Sequence, residues 1–402
     1  MNYFATDALA IGFWGYRRFG EQNTAETVAM WKDAGFNVAV SFIYENDSRE
    51  EDMLELLDLC AENGLKVILY DNRIHCHRLR EMSEKKYEEA VRRSVRQFGA
   101  HPAACAFFVS DEPNKDTLPY TRKAVEIVQA FSPIPAFVNF YPMWRSKDYV
   151  ELMGAEGKDI ADIYAPAVRQ SGLRCLAYDC YSQMDARDEN GLDGYFDNLN
   201  TYYAIAKDCD VPLWTSLLIT PHYAFRRPTI EDLRWQMSTA IAHGVKGIQW
   251  FMLYDNADGL GDSPIDIDNE KQPSYYDMRK VNREYARKLG RLIPKLTLEE
   301  VQHYAVTFGG TRLYAEGCDV YLKSFQCMYR DGAIISRFTH TETGHTYYMF
   351  VNNSRTAGNR LTYAFAEPCA HRRPPKCGMR PEHKKYAPIS VKAHMPILRV
   401  RA

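Results

Sequence analysis

Eight times between residues 8 and 254 a short apolar run is followed by a stretch of helical period, and few folds accept that alternation over such a length. The apolar runs fall at 8–16, 37–44, 66–71, 104–110, 136–141, 173–181, 212–220 and 246–254. Helical stretches fall at 24–34, 50–63, 83–98, 116–131, 193–208 and 229–243, and Gly35, Gly64 and Gly244 stand where left-handed helix caps are expected. Strands that alternate with helices pair in parallel and are covered on both faces, so they read as continuous apolar runs. Eight such units predict a (β/α)8 barrel, a fold of about 250 residues. The eighth unit ends near residue 293, which sets the barrel at 1–294.

A doubly wound open sheet is the rival, and it would place a glycine-rich phosphate loop after the first strand. Here that position reads Gly12-Phe13-Trp14-Gly15-Tyr16, with bulky rings where a pyrophosphate needs bare backbone. No nucleotide is expected, and no other cofactor. After residue 294 the pattern changes to alternating segments at 320–323, 332–338 and 345–353, which predict a small antiparallel sheet or sandwich over 295–402. Residues 368–388, rich in proline and basic side chains, read as an irregular excursion before a last strand near 396–400.

The chain carries 50 basic and 52 acidic residues, a formal charge of -2, which favours neither nucleic acid nor an anionic membrane as partner. No stretch reaches transmembrane length and no leader pattern opens the sequence, so a cytoplasmic protein is expected, with homo-oligomerisation left open. The 10 cysteines lack metal-ligand spacing and several lie in apolar runs, which predicts reduced, buried thiols. His75 and His77 alternate on a loop without a matching carboxylate cluster, so no metal is expected.

Parallel barrels place their chemistry at the carboxyl ends of the strands. There, directly after the fourth apolar run, stands Ser110-Asp111-Glu112-Pro113. Pro113 ends the strand and biases Glu112 away from helical geometry, which presents two adjacent acids on the rim. Other polar groups at strand ends are Asp71, Asn139, Tyr141, Asp179, His222 and Asp255.

With the barrel assumed, the chain resembles the (β/α)8 glycoside hydrolases, including clan A enzymes whose acid/base Glu follows the fourth strand in an Asn-Glu-Pro-like motif. The matching residues are Asp111, Glu112 and Pro113, with Asp in place of the usual Asn. Gly247-Ile248-Gln249-Trp250-Phe251 at the eighth strand, with the segment from Gln272 to Leu292, is similar to the barrel-closing part of β-galactosidase-like members. The resemblance implies cleavage of a β-glycosidic bond in a carbohydrate substrate, with Glu112 as general acid.

The seventh run, Pro212-Leu213-Trp214-Thr215-Ser216-Leu217-Leu218-Ile219-Thr220, holds no carboxylate where clan A places its nucleophile. Three expectations remain. A second acid comes from another strand end, Asp179 first and Asp255 after it. Alternatively, as in β-N-acetylhexosaminidases with an Asp-Glu pair, the substrate's 2-acetamido group attacks while Asp111 orients it, and Tyr178, Tyr181, Trp214 and Trp250 wall its pocket. In the third, the barrel binds carbohydrate without turning it over.

Overall fold

The computed structural model describes residues 7–365 except 21, 145, 256–260 and 329–330, and beyond these the backbone of three strands at 369–371, 389–391 and 397–400. The first half of the barrel runs β1 (Ala10–Phe13), α1 (Ala25–Asp33), β2 (Val38–Val40), α2 (Glu50–Glu62), β3 (Lys66–Leu69), α3 (Arg78–Glu81), α4 (Glu84–Ser94), β4 (Ala104–Asp111) and α5 (Leu118–Phe131). The second half runs β5 (Ala136–Phe140), α6 (Lys147–Met153), α7 (Ile160–Ser171), β6 (Leu176–Asp179), α8 (Gly191–Asp208), β7 (Leu213–Leu218), α9 (Ile230–Ala242), β8 (Gly247–Phe251) and α10 (Pro273–Leu289). Helix starts follow local chemistry: Thr24, Ser83, Ser146, Asp159 and Thr229 each accept a first-turn backbone N–H with their side chains. The helices α6 and α7 occupy a stretch that the apolar periodicity left unassigned.

All eight strands are parallel, in the order β1-β8-β7-β6-β5-β4-β3-β2. Between β1 and β2 a side chain supplies part of the ladder. The Asn37 amide accepts the Ile11 N–H at 2.8 Å and donates to the Leu9 carbonyl at 2.9 Å, while the Asn37 N–H donates to the Ile11 carbonyl at 3.0 Å. These three bonds pair the Leu9 and Ile11 backbone groups across the seam between β1 and β2.

Its interior is packed with large rings. Trp14, Phe108, Phe137 and Trp214 form one buried cluster with Ala10, Val38, Val40, Ile68 and Ala177. Trp214 takes the space a side chain at 247 would need: a Cβ on Gly247 would fall 2.1 Å from the indole. This floor lies below the carboxyl ends of the strands, so the interior is a core and the mouth alone is open.

Beyond α10 the chain forms β9 (Leu296–Tyr304), β10 (Arg312–Leu313), β11 (Leu322–Cys327), β12 (Ala333–His340), β13 (Thr346–Asn352), β14 (Asn359–Phe365), β15 (Cys369–His371), β16 (Ile389–Val391) and β17 (Ile397–Val400). They make a six-stranded sheet, β10-β9-β12-β13-β17-β15, and a three-stranded one, β11-β14-β16. The pairings are antiparallel apart from β10 with β9. Leu322, Phe325, Leu361 and Tyr363 of the small sheet share a core with Ile335, Tyr348 and Phe350 of the large one. The architecture is thus a (β/α)8 barrel followed by a small β domain. The excursion expected at 368–388 lies largely outside the described residues. Among the described residues no disulfide forms, and Cys60, Cys76, Cys105, Cys175 and Cys180 are buried. No described helix is long and apolar enough to cross a membrane.

Candidate active site at the carboxyl ends of the strands

Two adjacent acids on an ordinary strand point to opposite faces. Here both reach the mouth, and two local departures from regular geometry allow it. The β4–β5 ladder pairs Phe108 with Phe137, then Ser110 with Val138 and Asp111 with Asn139, so one residue of β4 goes unmatched. Such a skip shifts the alternation by one position. Phe108 belongs to the interior cluster, Ser110 turns outward to bond Thr121 at 2.9 Å, and Asp111 faces the mouth. The next residue, Glu112, takes a left-handed φ of 41° while its N–H donates to the Asn139 carbonyl at 2.8 Å. A non-glycine residue held there costs about 1–3 kcal/mol, a strain found most often at functional sites.

Asn139, at the matching position of β5, ties the acids together. Its amide nitrogen donates to Asp111 Oδ1 at 3.0 Å and to Asp179 Oδ1, at the end of β6, at 2.9 Å. One N–H hydrogen serves each carboxylate. The amide oxygen is buried and has no partner among the described residues. Asp111 also accepts from the Tyr16 hydroxyl at 3.2 Å, and Glu112 is hydrogen-bonded to Tyr141. Asp111 is exposed to solvent at the end of β4, although protein packs densely around it.

Three carboxyl groups in one low-dielectric mouth cannot all ionise easily. Burial, then Asp179, then Asp111 push Glu112 up to about 9, against the hydrogen bond from Tyr141. Burial and then Asp111 raise Asp179 to about 7, opposed by the Asn139 amide. Asp111 is raised by burial and held back by Asn139 and Tyr16. These groups titrate as a set, and the set holds at least one proton at neutral pH. The arrangement supplies a protonated acid beside an ionised carboxylate.

The remaining wall is aromatic. Tyr181 packs against Phe225 at 5.7 Å and Phe251 at 5.6 Å, Tyr16 packs against Tyr70 and Phe251, and Ser216 accepts the Trp14 indole N–H at 2.8 Å. Tyr16, Tyr70 and Phe251 were not among the residues singled out from the sequence. Each follows or ends a strand, but an isolated aromatic there looks like any core residue.

Several residues expected at the mouth lie elsewhere, and burial gives the reason. Trp214 is part of the packed floor. Trp250 points outward and donates its indole N–H to Asn282 of α10 at 2.8 Å. Tyr178 alternates with Asp179 and stacks on Tyr202 of α8 with ring centroids 4.0 Å apart. Asp71 is fully buried, pairing with Arg73 at 2.6 Å and accepting from Ser94 at 2.6 Å, which anchors the loop after β3 to α4. Asp255 accepts the Ser263 N–H at 2.7 Å and shapes the loop after β8. His75 and His77 meet each other at 2.6 Å between their Nδ1 atoms, and burial pushes His75 down to about 3. Among the described residues no group of three or more His, Cys, Asp or Glu side chains is arranged to hold a metal.

No known family profile matches the sequence, and no curated protein resembles it significantly. Solved structures do share its fold. A protein described as a glycoside hydrolase superposes with a TM-score of 0.59 at 12% identity, over 98% of this chain and 92% of that one. A glycoside hydrolase family 5 protein from Bacteroides vulgatus gives 0.56 at 12% identity, over 98% and 89%. The β-galactosidase from the psychrophilic Marinomonas ef1 gives 0.53 at 13% identity, over 68% of this chain, which spans 59% of the β-galactosidase. At such identities the likeness is one of fold.

Proposed function

We propose that this chain is a glycoside hydrolase in which Glu112 protonates the leaving oxygen of a β-glycosidic bond. The observation that carries the reading is the convergence of Asp111, Glu112 and Asp179 on one mouth, with Glu112 raised enough to stay protonated at neutral pH. The barrel shared with glycoside hydrolases supports it, as analogy of fold.

Two routes fit a β7 that holds no carboxylate. In one, an Asp179 oxygen attacks the anomeric carbon as the C–O bond breaks and Glu112 gives its proton to the departing oxygen. Water, deprotonated by Glu112, then hydrolyses the glycosyl ester. Alternatively, Asp179 deprotonates a water that attacks directly. What favours this route is the depth of Asp179 and its value of about 7, which leaves it partly ionised at neutrality. In the other route the carbonyl oxygen of a substrate 2-acetamido group attacks, Asp111 holds the amide N–H, and water opens the cyclic cation. What favours it is Asp111 itself, solvent-touching and fixed by Tyr16 and Asn139.

Hydrolysis of a β-galactoside and a β-N-acetylgalactosaminide by wild type, Asp111→Asn, Glu112→Gln and Asp179→Asn separates the readings. Activity confined to the acetamido sugar and lost in Asp111→Asn selects substrate assistance. A glycosyl-enzyme accumulating in Glu112→Gln with an activated glycoside, and absent when Asp179 is also replaced, selects the two-carboxylate route. Sugar binding without turnover on any glycoside leaves a carbohydrate-binding barrel and ends the hydrolase reading.

A further inference from the structure

After β3 the chain turns at Asn72–Ile74, passes through α3 and returns along α4, and these segments together with Asn46 line a cavity of about 240 Å³. Its wall is held in place. The buried Asp71 carboxylate accepts Arg73 Nε at 2.9 Å, Arg73 Nη2 at 2.6 Å and the Ser94 hydroxyl at 2.6 Å, while the Tyr87 hydroxyl donates to the Ile74 carbonyl at 2.5 Å. The Arg73 guanidinium also lies over the Tyr44 ring, 4.5 Å from its centroid. With its side chain only 10% exposed, Arg73 is fixed before any ligand arrives, and its Nη1 has no partner among the described residues.

Arg78 is anchored in the same way. Its Nε donates to the Asn72 carbonyl at 3.1 Å and its Nη1 to Glu81 at 2.9 Å, which leaves Nη2 without a described partner. Lys86 and Arg93 stand on the face of α4 that lines the cavity, and neither pairs with a carboxylate among the described residues. Of the acids nearby, Asp71 and Glu81 are taken up by the two anchored arginines, Glu45 by Asn72 and Arg18, and Glu50 by Gln97. Glu89 is the one acid among the described lining residues. Guanidinium and ammonium groups donate hydrogen bonds and accept none, so this lining is completed by acceptor oxygens. The donors come from the turn after β3, from α3 and from α4, an arrangement that suits a tetrahedral group with acceptors on several sides better than a flat one. The volume lies below the roughly 300–1,000 Å³ of sites that enclose whole small molecules, so the cavity takes a charged group rather than a glycan.

We infer that the cavity between the turn after β3 and α4 is a binding site for a tetrahedral oxyanion, a phosphate or sulfate group, held by Arg73, Arg78, Lys86 and Arg93. The inference goes beyond the glycosidase reading and does not depend on it. The group arrives either as the free ion or as an ester carried on a sugar.

Calorimetry on the full chain tests it without turnover, with sodium phosphate, sodium sulfate and galactose 6-sulfate as probes, each set against sodium chloride at equal ionic strength. Phosphate and sulfate are expected to bind where chloride does not. Arg73→Lys keeps the charge beside Asp71 but loses the planar fork, and it should weaken phosphate about tenfold. Lys86 and Arg93 are exposed, so Lys86→Gln with Arg93→Gln leaves the fold intact and serves even where Arg73→Lys does not fold. That double variant should weaken phosphate about tenfold or more, and Glu89→Gln should tighten it. Tighter binding of galactose 6-sulfate than of sulfate identifies a sugar-borne ester, and equal or weaker binding identifies the free ion; both support the site. Phosphate and sulfate heats no larger than that of chloride, or phosphate affinity unchanged in the double variant, overturn the inference.

Discussion

Glu112 is where chemistry and conformation conflict most. Its backbone is strained, and burial, then Asp179 and Asp111, hold its carboxyl protonated at neutral pH. With Glu112 as acid and Asp179 as its ionised partner, kcat/KM rises as pH passes about 7 and falls as it passes about 9. In Asp179→Asn with an acetamido substrate the limb near 7 disappears if Asp111 is the assisting group. The falling limb moves to lower pH, because Asp179 is the leading charge that raises Glu112. A stopped assay across pH 5–10 on both proteins decides this. Asn139 is a positioning residue, and its two N–H bonds keep Asp111 and Asp179 ionisable at close quarters. Asn139→Asp removes both donors and adds a fourth acid, and it should cut kcat by about 10²-fold or more and shift both limbs upward. An unchanged pH profile would show that the amide only fills space. Asp111, Glu112 and Asp179 stood out in the sequence as acids at strand ends, but so did Asp71 and Asp255, which the structure uses to hold the loops after β3 and β8. Nothing in the sequence marked the left-handed φ at 112: Pro113 disfavours the right-handed helical region there, and only tertiary packing selects the alternative.

At the scale of elements, the site depends on β4 losing step with β5. Without the unmatched residue, Asp111 would turn toward α5 and Ser110 toward the mouth. That irregularity has no mark in Ala104-Cys105-Ala106-Phe107-Phe108-Val109, which reads as an ordinary buried strand. For the same reason Tyr178, Trp214 and Trp250 were misplaced from sequence. A run buried on both faces gives no alternation to say which side chains point inward, and large aromatics serve the floor, the helix layer and the mouth alike. The eight strands themselves were legible because each is apolar throughout and is separated from the next by helix signals. What closes them was not: Asn37 opens the second apolar run, and nothing in that run marks its side chain as the partner that completes the β1–β2 seam. Asn37→Ala leaves the Ile11 N–H and the Leu9 carbonyl without their side-chain partner, a loss of about 2–4 kcal/mol. Asn37→Asp retains the acceptor for Ile11 but turns a carboxylate oxygen toward the Leu9 carbonyl, so at pH 7 its loss should be no smaller. Urea denaturation at pH 7 compares the two, and equal midpoints for wild type and Asn37→Ala would mean that the seam is held by its backbone bonds alone.

For the whole molecule, the acids that equip the mouth weaken the fold as pH rises. Glu112 and Asp179 have ordinary values of 4.5 and 3.8 and folded values of about 9 and about 7, so between those limits the folded state holds more protons than the unfolded one. Stability is therefore unaffected by this term below about pH 4 and declines as pH climbs toward 9. Asp179→Asn should raise stability on the order of 1–3 kcal/mol at pH 8 and hardly at all at pH 4, read by thermal melts at both. The β domain acts in the opposite sense. Phe196 of α8 packs on His303 at 4.7 Å and on Phe308, Tyr203 donates to the Leu298 carbonyl at 2.6 Å, and the Trp235 indole of α9 donates to the Asn353 carbonyl at 3.2 Å. Phe196 and Trp235 are buried, and exposing them would forfeit about 1.5–3 kcal/mol each. Such a sum is a large share of the roughly 5–15 kcal/mol that holds a domain folded. Cutting the chain at the 294/295 boundary expected from its sequence should thus yield a barrel that aggregates or melts well below the full chain. A fragment of residues 1–294 that melts with the intact protein would show that the β domain only rests on the barrel and that α8 and α9 hold their faces without it.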